Sequence, residues 1–529
     1  MNVPPAYDEP DNNRYNEAAP PYNEADEDYV YTFEKPEKPI PAPDYDEAFP
    51  ISTPKYNDTF FTYLFLAVLS AFGILVYKNY SPQSIPIWST DVSTEISKPM
   101  KQLYALIGIS TITPFLTSTI ALLLVYTAPT FFLIVAFSLV PISLAAMTFS
   151  AFASGSIVLG SFFALMAFGS FMFMITSYNR FAFSATILKL VVKAVSTHPS
   201  TLFVSFLSAI ISAVIAIAYI LAITMIANSR FAIDDSYCPH TNGNDICVSN
   251  TTVLIAIFSL FTGFYVFQVI ENTTHVILAG IFSSWYFFDI SDTKPLNAAS
   301  GAVKRAFTYC FGSICFGSLI VSVVQTTKVT LQTLKAKLRA GSYRNGSDSD
   351  SANQLLLCVL LCIVTIFEWF ATELEYWIRW FNRYAYSYLA MYGKPYLQSA
   401  RDTFEILRYK GLDILINDSL ISSAINFYSL LSVVLTGIAL YVSFHTLDMS
   451  PEMLVIGASA SLLVSWFITS IAINVLDVGC VTLMVALSVD PTAFVNPASI
   501  ERIQAWEQMQ RYYPGLTERV MLDWPDNIN

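Results

Sequence analysis

The chain has 529 residues, of which 54% are hydrophobic and 13% charged, and its mean hydropathy is +0.51. These values exclude an ordinary soluble globular protein, in which about a quarter of the residues are charged. The formal net charge is −12, yet residues 1–55 alone hold 13 Asp and Glu against 4 Lys and Arg. Most of the negative charge is therefore confined to the N-terminal segment. The rest of the chain has the composition of an all-α polytopic membrane protein.

Residues 1–58 are rich in Pro, Glu, Asp, Asn and Tyr and poor in aliphatic residues. This composition predicts a disordered cytoplasmic tail. The tail contains a PPxY match at Pro4, Pro5 and Tyr7, the kind of short polyproline element that WW domains bind. We interpret it as a docking site for a WW-domain ubiquitin ligase; the alternative is an ordinary proline-rich tail. No cleavable signal peptide is visible, because the first apolar run begins only near Phe60.

Ten apolar segments are long enough to cross a bilayer, which predicts one bundle over residues 59–490. An even number of crossings puts both termini on one side, and the basic loops at 178–201 and 285–306 identify that side as cytoplasmic. The basic stretch 328–353 conflicts with this scheme, and we place it outside because every other loop then agrees. The predicted spans are 60–78, 104–126, 130–149, 155–177, 202–227, 253–284, 307–327, 354–377, 423–443 and 453–476.

Two polar segments follow the eighth and tenth spans. Tyr and Trp crowd positions 376–396 and alternate there with basic residues, which predicts a cytoplasmic interfacial helix over residues 379–418. Residues 491–529 are polar and interrupted by prolines, and we expect a cytoplasmic C-terminal tail with a short amphipathic helix near 498–512.

Two of the loops that the predicted topology places outside carry residues typical of an oxidising compartment outside the cytoplasm. Cys238 and Cys247 are nine residues apart and could close a small disulfide loop. Asn250 and Asn345 begin sequons that the predicted topology places outside, so both are glycosylation candidates. The other five cysteines lie in apolar runs, where small hydrophobic packing is the default interpretation.

The most informative stretch is residues 252–289, an apolar helix with one polar stripe. Gln268, Glu271, Asn272 and His275 follow the i, i+3, i+4, i+7 spacing of a single helical face. Ionisable side chains at membrane depth are costly and usually face a bundle interior or a water-filled cavity. The stripe therefore indicates either a solute path or interhelical hydrogen bonding without transport. Glu271 and His275 could also form a proton-sensitive pair, although a lone histidine on a helix is more often structural.

Three blocks resemble a known family: FGSICFGSL at 311–319, SSWYF at 283–287, and NRYAYSYLAMYGKPYLQSARD at 382–402. They are similar to the choline transporter-like proteins, and most similar to the fungal branch named for pH-nine sensitivity. The resemblance implies a plasma-membrane bundle of about ten helices with cytoplasmic termini. It also implies movement of choline or a related amine. Animal relatives carry a large glycosylated domain after the first helix, whereas the corresponding loop here, 78–103, is short.

A quaternary ammonium ion donates no conventional hydrogen bond, so proteins hold it with aromatic faces and carboxylates. Most aromatic residues in this chain are expected simply to pack or to lie at interfaces. Two carboxylates are further candidates: Glu368, in the second half of the eighth predicted span, and Asp477, just after the tenth. For Asp477 the alternative is an ordinary water-exposed charge at the membrane interface. The aromatic candidates for the substrate path are Trp285, Tyr286, Tyr309 and Trp369.

Soluble-enzyme signatures such as HExxH, a P-loop or GxSxG are missing from the sequence, and no cysteine or histidine pattern suggests a metal or cofactor. The loops offer no basic domain for nucleic acid. We therefore expect a non-enzymatic plasma-membrane transporter for a choline-like organic cation. The alternative is a non-transporting membrane scaffold or trafficking protein that acts through its N-terminal tail.

Overall fold

The computed structural model describes residue 45 and residues 56–79, 98–230, 250–288, 297–344, 351–410, 412–446, 451–490 and 500–512. From residue 56 onward these ranges are helical, with short turns between neighbouring helices, and the prediction of an all-α membrane protein is confirmed. The helices are α1 Thr59–Lys78, α2 Lys98–Thr127, α3 Pro129–Ala153, α4 Ile157–Thr197, α5 Ser200–Arg230, α6 Asn250–Phe288, α7 Ala298–Phe307, α8 Phe311–Arg344, α9 Ser351–Tyr392, α10 Tyr396–Lys410, α11 Leu412–Thr446, α12 Pro451–Val489 and α13 Ile500–Tyr512.

Nine of the described helices contain a stretch long and apolar enough to cross a bilayer. Two further segments, Arg180–Thr197 and Ser200–Ala216, together meet the same criterion but are bent by 86° at their junction. Helices suit this environment because each backbone amide is bonded within its own segment, and lipid offers no replacement partner. The count of nine, or ten with the bent pair, agrees with the predicted bundle of about ten spans.

The predicted loop at 178–201 is largely helical. Helix α4 continues without a break to Thr197, and Phe181, Leu188 and Val191 of this extension are almost completely buried. The basic residues led us to predict a loop, but the apolar residues between them recur at helical spacing and pack into the bundle. The chain turns only at His198, just before α5 begins at Ser200.

The predicted interfacial helix over 379–418 is also different in the structure. Residues 379–392 are the last turns of α9, and Tyr384, Tyr386 and Leu389 lie in the protein core. Gly393 then ends α9 with a φ of 60°, and its amide donates to the carbonyl of Leu389 at 2.8 Å. The abundance of Tyr and Trp resembled a headgroup-level helix, but the buried face of α9 carries many of these rings.

The tenth predicted span ends at residue 476, thirteen residues before the end of the helix that contains it. We predicted 453–476, whereas α12 continues to Val489 because residues 478–489 are almost entirely apolar. This extension is among the most deeply buried parts of the molecule. As a consequence, Asp477 lies within a helix rather than after one.

Many of the core residues lie on α4, α6 and α12 and on the final turns of α9. We call this region the base. At its centre is Gly479, where an added Cβ would lie 2.5 Å from Cγ1 of Val191 and 2.9 Å from Cζ of Phe282. Only a hydrogen atom fits between these three helices. The part of α6 around Phe282 is therefore fixed in the base, and the polar stripe, residues 268–275, precedes this part along the helix.

Candidate functional site

A polar cavity of about 490 Å³ lies between α6, α8, α9, α11 and α12. Its volume falls within the roughly 300–1,000 Å³ typical of sites for small ligands. The lining residues are mostly polar or charged, which is unusual for a space surrounded by membrane helices. They are Gln268, Glu271, Asn272, His275, Val321, Tyr376, Arg379, Trp380, Asn382, Arg383, Ser422, Ser423, Ile425, Asn426, Ser429, Ser470, Asn474 and Asp477.

All four residues of the predicted stripe on α6 line this cavity. Gln268 Nε2 donates to Oε2 of Glu271 at 3.0 Å. Asn272 Nδ2 donates to Oγ of Ser318 at 2.8 Å, which ties α6 to α8. The i, i+3, i+4, i+7 spacing thus places the stripe on one face of α6, and that face borders both the cavity and the neighbouring helices.

His275 is the last residue of the stripe in the sequence, and its side chain is buried. Its Nε2 is 3.0 Å from Oγ of Ser387 on α9, and that hydroxyl is 3.3 Å from Oγ1 of Thr482 on α12. The side chains of three helices meet in this chain of hydrogen bonds. Glu271 bonds to Gln268 and His275 bonds to Ser387, so the two residues predicted as a pair have different partners in this structure.

An ion pair crosses the cavity between α9 and α12. Arg383 Nη1 donates to Oδ2 of Asp477 at 2.7 Å, and Ser422 Oγ on α11 donates to Oδ1 of the same carboxylate at 2.5 Å. Arg383 Nη1 also lies 3.1 Å from Oγ of Ser422. Asp477 was a sequence candidate, and the structure brings it to the cavity with a guanidinium already bound to it.

The second arginine at the cavity, Arg379, also faces a carboxylate. Its Nε lies 3.3 Å from Oε1 of Glu375, one turn earlier on α9. The same carboxylate accepts hydrogen bonds from Gln325, at 2.9 Å, and from Lys328 of α8. Both cavity arginines are thus engaged by carboxylates. Within the described part of the chain, Glu271 is the lining carboxylate whose hydrogen-bond partner is a neutral amide.

Two aromatic side chains line the cavity, and neither was a sequence candidate: Tyr376 and Trp380 of α9. The Trp380 ring packs against Tyr384, with centroids 5.0 Å apart, and against Trp377 at 6.0 Å. The sequence did hold a signal for this face, because positions 376, 379, 380 and 383 follow helical spacing. The abundance of Tyr, Trp and basic residues in this stretch instead predicts a helix at the level of the headgroups.

The two aromatic candidates at the end of α6 lie elsewhere. Trp285 and Tyr286 are buried in the base, where Cζ of Arg502 from α13 is 4.8 Å from the centre of a Trp285 ring. Arg502 also donates to the carbonyl oxygens of both residues, and Tyr286 Oη donates to the carbonyl of Asp490 at 2.8 Å. The cation that faces Trp285 is therefore the chain's own guanidinium, and neither aromatic side chain is among the residues that line the cavity.

Three other candidates also fall outside the cavity. Tyr309 packs against Tyr56, with ring centroids 5.6 Å apart. Trp369 lies on the outer surface of α9, with 64% of its surface exposed. Glu368 is bound by Lys335 of α8 at 2.6 Å. Single aromatic and acidic residues are poor guides here, because a residue type alone does not tell which helical face is turned inward.

Several predicted features lie outside the described residues: the PPxY motif at Pro4, Pro5 and Tyr7, both cysteines of the predicted disulfide, Cys238 and Cys247, and the sequon at Asn345. Asn250 is described only as the first residue of α6. The disulfide, glycosylation and WW-domain assignments therefore stay predictions.

Comparison with known proteins gives a consistent assignment. The family described as plasma-membrane choline transporter matches residues 161–492, which include all the cavity residues. The chain is 31% identical to Protein PNS1 of Debaryomyces hansenii over 508 residues, covering 92% of this chain and 93% of the relative. It is 30% identical to Protein PNS1 of Saccharomyces cerevisiae over 564 residues, covering 98% and 97% of the two chains. The chain therefore belongs to the choline transporter-like family, in its fungal branch named for pH-nine sensitivity.

Proposed function

We propose that this membrane protein transports a small organic cation of choline type across the plasma membrane, and that the cation occupies the cavity between α6, α9, α11 and α12. The observation that carries the proposal is one carboxylate, Glu271, without a basic partner among the described residues, in a cavity also lined by two aromatic rings. Family membership supports transport as the general activity. The proposed activity is translocation without a chemical step.

The cavity has the chemistry that a quaternary ammonium ion needs. Such an ion is held by aromatic faces, each contributing about 0.5–2 kcal/mol, and by a negative charge nearby. Tyr376 and Trp380 supply the faces, and Glu271 supplies the charge. The guanidiniums of Arg379 and Arg383 would repel a cation, but Asp477 lies 2.7 Å from Arg383, and Glu375, which also binds Lys328, lies 3.3 Å from Arg379.

The alternative is a scaffold or trafficking protein that works through its N-terminal tail, with the bundle as an anchor. A pure anchor would gain nothing from a cavity lined by polar and charged residues, since buried polar groups are costly in a membrane. The two proposals make opposite predictions for variants of cavity residues. Removing residues 1–41, which leaves the buried Tyr45 in place, separates them as well: a transporter keeps its uptake activity, whereas a tail-driven scaffold loses its function.

The test is uptake of radiolabelled choline into proteoliposomes that contain the purified protein. Trp380→Ala should reduce uptake by about 2- to 30-fold, because it removes an aromatic face worth about 0.5–2 kcal/mol. Trp369→Ala is the matched control, since this tryptophan lies on the same helix but faces outward. Glu271→Gln should reduce uptake, and Glu373→Gln, an exposed glutamate of α9, should not.

Saturable uptake that is lost in Trp380→Ala and Glu271→Gln but kept in both controls would support the proposal. Uptake no greater than in empty liposomes, for choline and for other quaternary amines, would overturn the assigned substrate class. Equal losses in Trp380→Ala and Trp369→Ala would show that the effect comes from folding rather than from the cavity.

A further inference from the structure

A tyrosine from the N-terminal segment is buried between α6 and α7. Tyr45 is only 1% exposed, and its Oη donates to the carbonyl oxygen of Gly280 on α6 at 3.3 Å. Cζ of Arg305 on α7 lies 4.9 Å from the centre of the Tyr45 ring, and Arg305 is itself 2% exposed. This residue of the acidic segment thus contributes to the hydrophobic core of the bundle.

The surrounding residues leave room for an aromatic ring because they are small. An added Cβ on Gly301 would lie 2.3 Å from Cβ of Tyr45, and one on Gly280 would lie 2.8 Å from its Oη. The Cβ added on Gly280 would also lie 2.9 Å from Cβ of Ala302, so α6 and α7 approach closely here. We name Gly280, Gly301, Ala302 and Arg305 the tyrosine socket.

We propose that the tyrosine socket is a peptide-binding site that recognises a tyrosine within an acidic segment, and that the chain's own Tyr45 is its tethered ligand. The ring of Tyr45 lies against the Arg305 guanidinium, and its hydroxyl donates to the Gly280 carbonyl oxygen. The two glycines have no side chains, which leaves space for the ring. Charge favours the same partner, because Asp44, Asp46 and Glu47 flank the tyrosine in the sequence. On the receiving side, α7 carries Lys304 beside Arg305.

The tyrosine socket shares no residue with the lining of the cavity. A tethered ligand has an effective concentration in the millimolar range, so even a weak site of this kind remains mostly occupied. Occupancy joins the N-terminal segment to α6, the helix whose polar stripe ends at His275, five residues before Gly280. The socket therefore connects the acidic segment directly to a cavity-lining helix.

The experiment measures binding of a fluorescent synthetic peptide, residues 38–52, to the full-length protein in detergent by fluorescence anisotropy. The receiving protein carries Tyr45→Ala, which leaves the tyrosine socket empty. We expect saturable binding that is about 100-fold weaker for a peptide with alanine at the tyrosine position, because a buried aromatic side chain is lost. The wild-type protein should bind the peptide more weakly than Tyr45→Ala, since its own tyrosine competes.

A second substitution tests the place of binding. In the Tyr45→Ala background, Gly301→Ala should weaken binding at least ~10-fold, because its methyl group would fill the space of the tyrosine Cβ. Gly169→Ala is the matched control: it is also a helical glycine, but nothing lies within 4 Å of its added Cβ. Absence of saturable binding to the Tyr45→Ala protein would overturn the proposal. So would equal binding of the tyrosine and alanine peptides, or unchanged binding in Gly301→Ala.

Discussion

The ion pair between Arg383 and Asp477 gives the sharpest quantitative prediction. The two side chains join α9 to α12 at 2.7 Å, and both are largely buried, with exposures of 27% and 12%. Two unit charges about 4 Å apart attract by roughly 4 kcal/mol at an effective dielectric constant of 20. Desolvation of the two charges offsets much of this gain, so we expect a net coupling energy of about 2 kcal/mol.

A double-mutant cycle measures this coupling. Asp477→Asn and Arg383→Gln should each destabilise the protein by about 2–3 kcal/mol, because each leaves one charge without its partner. The double variant should be more stable than the sum of the two losses by about 2 kcal/mol. The free energy of unfolding can be measured by reversible unfolding in mixed micelles with increasing SDS.

The exposed pair Arg401 and Glu405 on α10 serves as the control, with a distance of 3.5 Å and exposures of 80% and 55%. Its cycle should show little or no coupling, because water screens the two charges. Additive losses at Arg383 and Asp477, within about 0.5 kcal/mol, would refute the reasoning, since the ion pair would then contribute nothing.

Three further predictions follow from the packing and the polar groups. Gly317→Ala should lower the thermal denaturation temperature, because its added Cβ would lie 2.2 Å from the Tyr386 phenol oxygen, whereas Gly169→Ala should not. Burial raises the pKa of Tyr396 to about 12, above the value near 10 of an unfolded chain. The contribution of Tyr396 to the free energy of unfolding is therefore complete below pH 10 and is lost as the pH rises toward 12. The free energy of unfolding of Tyr396→Phe, measured across this pH range, should lack that loss. Glu271→Gln should raise the KM for choline uptake, because it removes a carboxylate charge from the cavity; an unchanged KM would exclude Glu271 from cation binding.

The fold was predictable where a single physical requirement dominates. Apolar runs of about 20 residues must be helical in lipid, and this rule located the spans that became α1, α3 and α11. It failed where helices leave the apolar layer and pack on one another. Residues 178–197 and 379–392 carry enough charge and aromatic character to resemble a loop or a headgroup-level helix, yet both are buried in the base.

The site was predictable only in part for a similar reason. The stripe on α6 was visible because four polar residues interrupt an otherwise apolar helix, and all four line the cavity. Trp285 and Trp380 cannot be distinguished by residue type, because both are tryptophans in aromatic-rich segments near the ends of helices. Their different roles depend on which helical faces meet, and that is set by packing between segments distant in sequence.

The most direct test of the central claim is protection of the cavity from alkylation by a bound cation. Asn426→Cys places a thiol among the lining residues, in a background whose other cysteines are replaced by alanine, and a water-soluble thiol reagent reports its accessibility. Choline at ten times its Kd should slow the reaction about 10-fold, as expected for simple competition, and Glu271→Gln should remove the protection. Alkylation at the same rate with and without saturating choline would contradict the claim that the cation occupies this cavity.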